Sequence, residues 1–149
     1  MSRYNAEADL AVQLKAVRGI EFTREHPFGA EIDRRWRCDF YVKTREAVPD
    51  AVLVEVDGGG GAGRHGTSGG MRADAEKQSA AAALGWRVIR LDPSHVKSGK
   101  GLAWIEAALG LRSDVAELFR LPERNGRAPK AKRSKASKLP ERVRKAAGL

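Results

Sequence analysis

The chain reads as an α/β protein, a small mixed sheet flanked by helices, because its predicted elements run helix, strand, strand, helix, strand, helix. Three observations carry that reading. RRWRCDFYV alternates apolar and polar residues, the mark of a strand with one buried face. AVLVEVD is almost continuously apolar, as a central strand is. An alanine-rich segment, MRADAEKQSAAAAL, then separates it from a further apolar run, WRVIRL. The length of 149 residues with 42% hydrophobic content suffices for one domain with a real core.

In chain order, Asn5 to Val17 form an amphipathic helix that sets Ala8, Ala11, Val12 and Leu14 near one face and stops at Gly19. Within Phe28 to Val42, Trp36, Cys38, Phe40 and Val42 point one way, and Arg35, Arg37, Asp39 and Tyr41 the other. The polar loop KTREAVPD leads to the strand Ala51 to Asp57. Eight of the thirteen residues from Gly58 to Gly70 are glycine, so this segment is expected as a loop that lets another backbone come close. A helix over Met71 to Leu84 ends at Gly85, a strand covers Trp86 to Leu91, and a helix covers Leu102 to Leu111, with Asp114 to Phe119 extending it. Trp36, Trp86 and Trp104 read as core, Cys38 as a buried inert thiol, and His26 and His95 as structural.

Charge is distributed unevenly. Of the 28 basic residues, ten lie between Pro122 and Leu149 against only Glu123 and Glu141, so the body is near neutral and the tail carries almost all of the net +9. Residues 1–121 are expected to be the folded domain. Residues 122–149 have almost nothing to bury and are expected to be disordered when free, with a short helix over Glu141 to Ala147. Lys130, Lys132, Arg133 and Lys135 in this tail suit DNA phosphates, a salt-sensitive contact blind to sequence; a solubilising tail is the plainer account. The single cysteine excludes a disulfide framework and a four-cysteine zinc site, which fits a reducing compartment. No apolar run is long enough for a transmembrane helix and MSRYNAEADL lacks a signal-peptide core, so a soluble cytoplasmic protein without a membrane partner is expected.

The acidic residues of the two central strands suggest chemistry. Folded as a hairpin centred on Ala47, Asp39 faces Glu55 and Phe40 faces Val54, with Asp57 on the same face as the two acids and Cys38, Phe40, Val54 and Val56 on the other. Like charges so placed raise one another's pKa unless something positive lies among them. Asp39, Glu55 and Asp57 are therefore candidate ligands of a hard divalent cation, magnesium (Mg2+) or manganese (Mn2+). The competing account pairs these acids with Arg35 or Arg37. On the next helix Lys77 suits orienting a water or stabilising charge on a phosphate, if it is not simply a surface lysine; Asp74 and Gln78 lie at neighbouring spacings. His65 in the glycine-rich segment is a candidate proton carrier or a solvated side chain.

Taken together, RRWRCDFYV, LVEVDGG, the glycine-rich segment with His65, and MRADAEKQSAAAALGWRVIRL resemble the PD-(D/E)XK nuclease superfamily, in particular small phage and bacterial endonuclease domains related to the very-short-patch-repair endonucleases. The resemblance spans Glu25 to Leu91, and Glu7 matches an additional acid that some members carry on the first helix. It implies a restriction-endonuclease-like core and Mg2+-dependent hydrolysis of DNA phosphodiesters, nicking or structure-specific, with Asp39 and Glu55 as metal ligands. The superfamily's lysine two residues after the glutamate is Asp57 here, and Lys77 is the available substitute. Arg64 and Arg72 are placed to hold neighbouring phosphates.

Competing functions are a four-way-junction resolvase, which would be a homodimer, and a noncatalytic DNA-binding protein with a degenerate nuclease fold. Gly58, Gly60 and Gly63 also match the dinucleotide-binding GxGxxG, but that fingerprint needs a helix starting within the glycines, where GRHGTSGG reads as continuing loop.

Overall fold

A computed structural model describes residues 3–58 and 68–120. The chain divides into two units, Met1–Phe119 and Arg120–Leu149. Beyond Arg120 the second unit lies outside the described residues, and with it the tail lysines and arginines and the helix expected near Glu141.

The first unit is a small α/β fold built on one four-stranded mixed sheet. Helix α1 (Ala6–Ala16) is followed by strands β1 (Ile20–Pro27), β2 (Arg37–Thr44) and β3 (Ala51–Val56). Helix α2 (Ser68–Ala83) then leads to strand β4 (Val88–Leu91), and helices α3 (Pro93–Lys97), α4 (Lys100–Ala108) and α5 (Val115–Leu118) follow. Spatial order is β1-β2-β3-β4, the first three antiparallel and β4 parallel to β3. A parallel neighbour requires a crossover, and α2 supplies it.

The expected hairpin register is the one observed: Phe40 pairs with Val54, and Val42 with Val52. Strand β1 is a correction to the sequence reading. IEFTREHP carries only Ile20 and Phe22 as apolar alternating residues, but an edge strand pairs on one side and tolerates charge. Its Glu21 meets Lys43 across the ladder at 2.7 Å. The alternating segment itself enters the sheet only at Arg37, because Gly29 to Arg34 close a tight turn first. Gly29 is required there: a Cβ would lie 2.9 Å from the Arg34 carbonyl oxygen.

One sheet face packs under α1, α3 and α4. Leu10, Leu14, Val96 and Ile105 meet Phe40, Val42, Val52, Val54 and Leu91, all essentially without solvent exposure. In α1 the buried residues are Ala6, Leu10 and Leu14; Ala8 and Val12 are exposed, contrary to expectation, since the buried stripe follows spacing four from Ala6. Asn5 caps this helix by accepting from the Ala8 N–H at 3.0 Å. Helix α3 was not expected at all. It rests on a capping box in which Asp92 accepts from the Ser94 and His95 N–H groups while His95 Nδ1 accepts from the Asp92 N–H, which gives His95 its structural role.

The opposite face carries a smaller cluster, Phe28, Cys38, Leu53 and Ala81, with Trp36, Tyr41, Trp86 and Val88 packed around it. Cys38 therefore belongs with this cluster and not with Phe40. The three tryptophans are half-buried lids on the two cores. Phe40→Ala is expected to cost about 3–5 kcal/mol, transfer plus cavity, read as a lower urea midpoint at unchanged slope. An effect below about 1 kcal/mol would mean that this face is not the principal core.

Candidate active site

The smaller cluster closes only one end of the space between α2 and the sheet. Asp74, Lys77, Gln78 and Ala81 stand at helical spacings of three and four, so they form the α2 stripe that faces the strands. In an ordinary crossover helix that stripe is apolar. Here only Ala81 is, and the polar members leave a cavity of ≈ 320 Å³ also lined by Glu7, Phe28, Asp39, Glu55, Asp57, Gly58 and Arg90.

Alternation sets Asp39 on this face, since its neighbour Phe40 is buried in the core on the other. Its Oδ2 accepts from the Val56 N–H at 2.6 Å, so it is tied to the adjacent strand's backbone and not to Arg35 or Arg37. Arg37 donates instead to the Glu25 carbonyl. Glu55 Oε1 accepts from Lys77 Nζ at 2.5 Å, and the same ammonium lies 5.7 Å from the Phe28 ring centroid. Both members of this pair are about three-quarters buried, with side-chain exposures of 24% and 22%.

Asp57 shares the cavity, but its carboxylate is bound by Arg90 Nη2 at 2.5 Å. Arg90 also lies 3.9 Å from Asp74, and the Gln78 carboxamide, turned with its oxygen inward, accepts from Arg90 Nε at 3.2 Å. The acidic trio is thus divided: all three line the cavity, but Glu55 is paired with Lys77 and Asp57 belongs to an arginine network. Sequence reasoning missed Arg90. Its signal is the parallel pairing of Glu55 with Arg90, legible once WRVIRL is laid beside AVLVEVD.

Two further acids approach Asp39 from other elements. Glu7 of α1, Glu25 of β1 and Asp39 each offer an oxygen within 4.8 Å of the others. Glu25 lies between the pairs Arg24–Phe40 and His26–Cys38, across from Asp39, with φ of 51°. A non-glycine residue in that region stores roughly 1–3 kcal/mol and marks a position held by its surroundings. Glu7 is also paired with Arg24 at 2.9 Å.

Burial pushes the Asp39 carboxyl above its ordinary 3.8, and Glu7 and Glu25 add to this against the pull of the Val56 N–H and Lys77. Burial raises Glu55 above 4.5 as well, aided by Asp39 and opposed by Lys77 and Arg90. The Cys38 thiol is pushed up to about 12, chiefly by burial, and donates to the His26 and Phe40 carbonyls, so it stays protonated and inert.

A carboxyl raised in the folded state holds its proton more tightly there than in the unfolded chain, and once ionised it opposes folding. The metal-free protein is therefore expected to lose the contribution of these two groups as pH rises through the window that opens at 3.8 for Asp39 and 4.5 for Glu55. Thermal melts of the wild type against Asp39→Asn isolate the effect, because Asp92 and Asp114, lowered by bonds from Ser94 and Arg112, act equally in both. The variant should lose less stability over that window; equal slopes would contradict the assignment.

Helix α2 begins at Ser68, within the glycines and earlier than expected, so Gly69 and Gly70 are helical. Arg72 is exposed on it and does not line the cavity. Arg64 and His65 lie outside the described residues. Among the described residues, no helix is long and apolar enough to cross a membrane. Comparisons of the chain with protein-family models, with curated proteins and with solved structures return no match.

Proposed function

We propose that the chain is a metal-dependent endonuclease that hydrolyses DNA phosphodiester bonds, with a core of the PD-(D/E)XK type. The observation that carries this reading is the convergence of Asp39 from β2, Glu55 from β3 and Lys77 from α2 on one polar cavity. Asp39 and Glu55 are the ligands the resemblance implies, and Lys77 is the available substitute for the superfamily's lysine, whose position is Asp57 here.

The donor set fits a hard divalent ion, Mg2+ or Mn2+. Each acid has one oxygen committed to a protein donor, Val56 N–H or Lys77 Nζ, and a second oxygen that accepts no hydrogen bond from the described residues. Their raised pKa values mean that a cation would relieve charge the fold already disfavours. When bound, such an ion supplies positive charge that acidifies a coordinated water and neutralises charge on the scissile phosphate. Asp39 and Glu55 would hold it, with Glu7 and Glu25 adjacent. Lys77, released from Glu55, would face the developing charge on the phosphate. Arg90 keeps Asp57 neutralised, which spares an incoming phosphate one repulsion.

Nicking of supercoiled plasmid with Mg2+, with and without EDTA, tests the reading. Metal-dependent relaxed product supports it, and intact plasmid at every metal concentration counts against it. A noncatalytic DNA-binding protein is the second reading, favoured by the internal pairing of Glu55 with Lys77 and of Asp57 with Arg90. Calorimetric titration with Mg2+ separates the two, since that reading predicts no Asp39-dependent heat.

A further inference from the structure

A second cavity, of ≈ 520 Å³, shares the wall of the first at Glu7, Val56, Asp57 and Gly58 and continues past Arg3, Tyr4 and Pro93. Both acids of the shared wall are matched by guanidinium groups, Glu7 by Arg24 and Asp57 by Arg90. A polyanion crossing that wall meets compensated charge, and beyond it the exposed Arg3 adds a cation. Tyr4 is 46% exposed and yet held in place. Its hydroxyl donates to Asp9 Oδ2 at 2.7 Å, and the Lys97 ammonium lies 6.0 Å from the ring centroid. The neighbouring groove therefore combines a positioned aromatic face with nearby cations, the pairing that binds nucleic-acid strands by base stacking and phosphate attraction.

We propose that this groove binds a nucleotide flanking the scissile phosphate, its base stacked on Tyr4 and its phosphate held by Arg3. The inference rests on the hydrolytic reading of the adjoining cavity, since that reading supplies the strand. DNA and RNA share the required chemistry.

The test uses the full chain carrying Asp39→Asn, so that substrate survives, and short single-stranded DNA and RNA oligonucleotides with 2-aminopurine at successive positions. Binding should quench the fluorophore at one position far more than at its neighbours, in one sugar type or both. Adding Tyr4→Ala should abolish that quench and weaken binding about five- to a hundredfold, whereas Tyr4→Phe keeps both. Arg3→Gln should weaken binding several-fold with the quench retained. Equal affinity with and without Tyr4→Ala, or a quench that survives it, overturns the proposal. Cleavage by the wild-type chain is scored separately. A Tyr4-dependent quench without cleavage upholds the groove and refutes the hydrolytic reading; cleavage without such a quench does the reverse.

Discussion

Asp39→Asn is expected to abolish Mg2+-dependent cleavage, lowering the rate by about a thousandfold or more. The reasoning is local. Asparagine still accepts from the Val56 N–H, so the tie between β2 and β3 survives and the fold should hold. What disappears is one negative charge at the point where Glu7, Glu25, Glu55 and Lys77 all exert their field. A metal's polarisation supplies several kcal/mol, and at 1.36 kcal/mol per tenfold about 4 kcal/mol corresponds to a thousandfold. Plasmid nicking measures the rate, and anisotropy with a labelled duplex at fixed salt measures binding, which should change little. A variant that cuts at the wild-type rate would remove Asp39 from the chemistry, and the metal assignment with it.

Lys77→Met is expected to separate three properties that a surface lysine would leave untouched. The Lys77–Glu55 pair is mostly buried and its lysine also lies over Phe28, so its loss leaves Glu55 without its cation. Metal-free stability should fall by about 1–3 kcal/mol, the cost of leaving a partly buried polar group unsatisfied. Mg2+ affinity should rise by roughly tenfold, because a positive charge that competes for Glu55 is gone. Cleavage should nevertheless drop by about 10²–10³, the usual loss when one preorganised donor is removed from a developing charge. Denaturation, calorimetry and nicking read the three quantities independently. Weaker Mg2+ binding in this variant would contradict the geometry, since Lys77 would then be supporting the metal site and not competing with it.

Much of this site can be read directly from residue order. Alternation in RCDFYV and the near-continuous apolar run of AVLVEV pair Phe40 with Val54, and that register alone turns Asp39 and Glu55 toward the same face. The spacing of Asp74, Lys77, Gln78 and Ala81 then makes one helix stripe. These are short-range regularities, fixed by the two-residue pleat and the 3.6-residue turn. Strand β1 escapes the same treatment because its charged residues face solvent at a sheet edge and leave only Ile20 and Phe22 as a signal.

The division of the acids is a different matter. Nothing in the order of residues says that Asp57 should be claimed by Arg90 or that Glu25 should sit opposite Asp39 in a strained backbone, and only the family resemblance singles out Glu7, which reaches the same point from α1. Each depends on which strands become neighbours and on how α1 crosses the sheet. Residue order along one element thus accounts for Asp39, Glu55 and Lys77 as a set. Contacts between distant segments, whose energies depend on separation in space and not along the chain, account for which acids are compensated and which keep an unsatisfied charge.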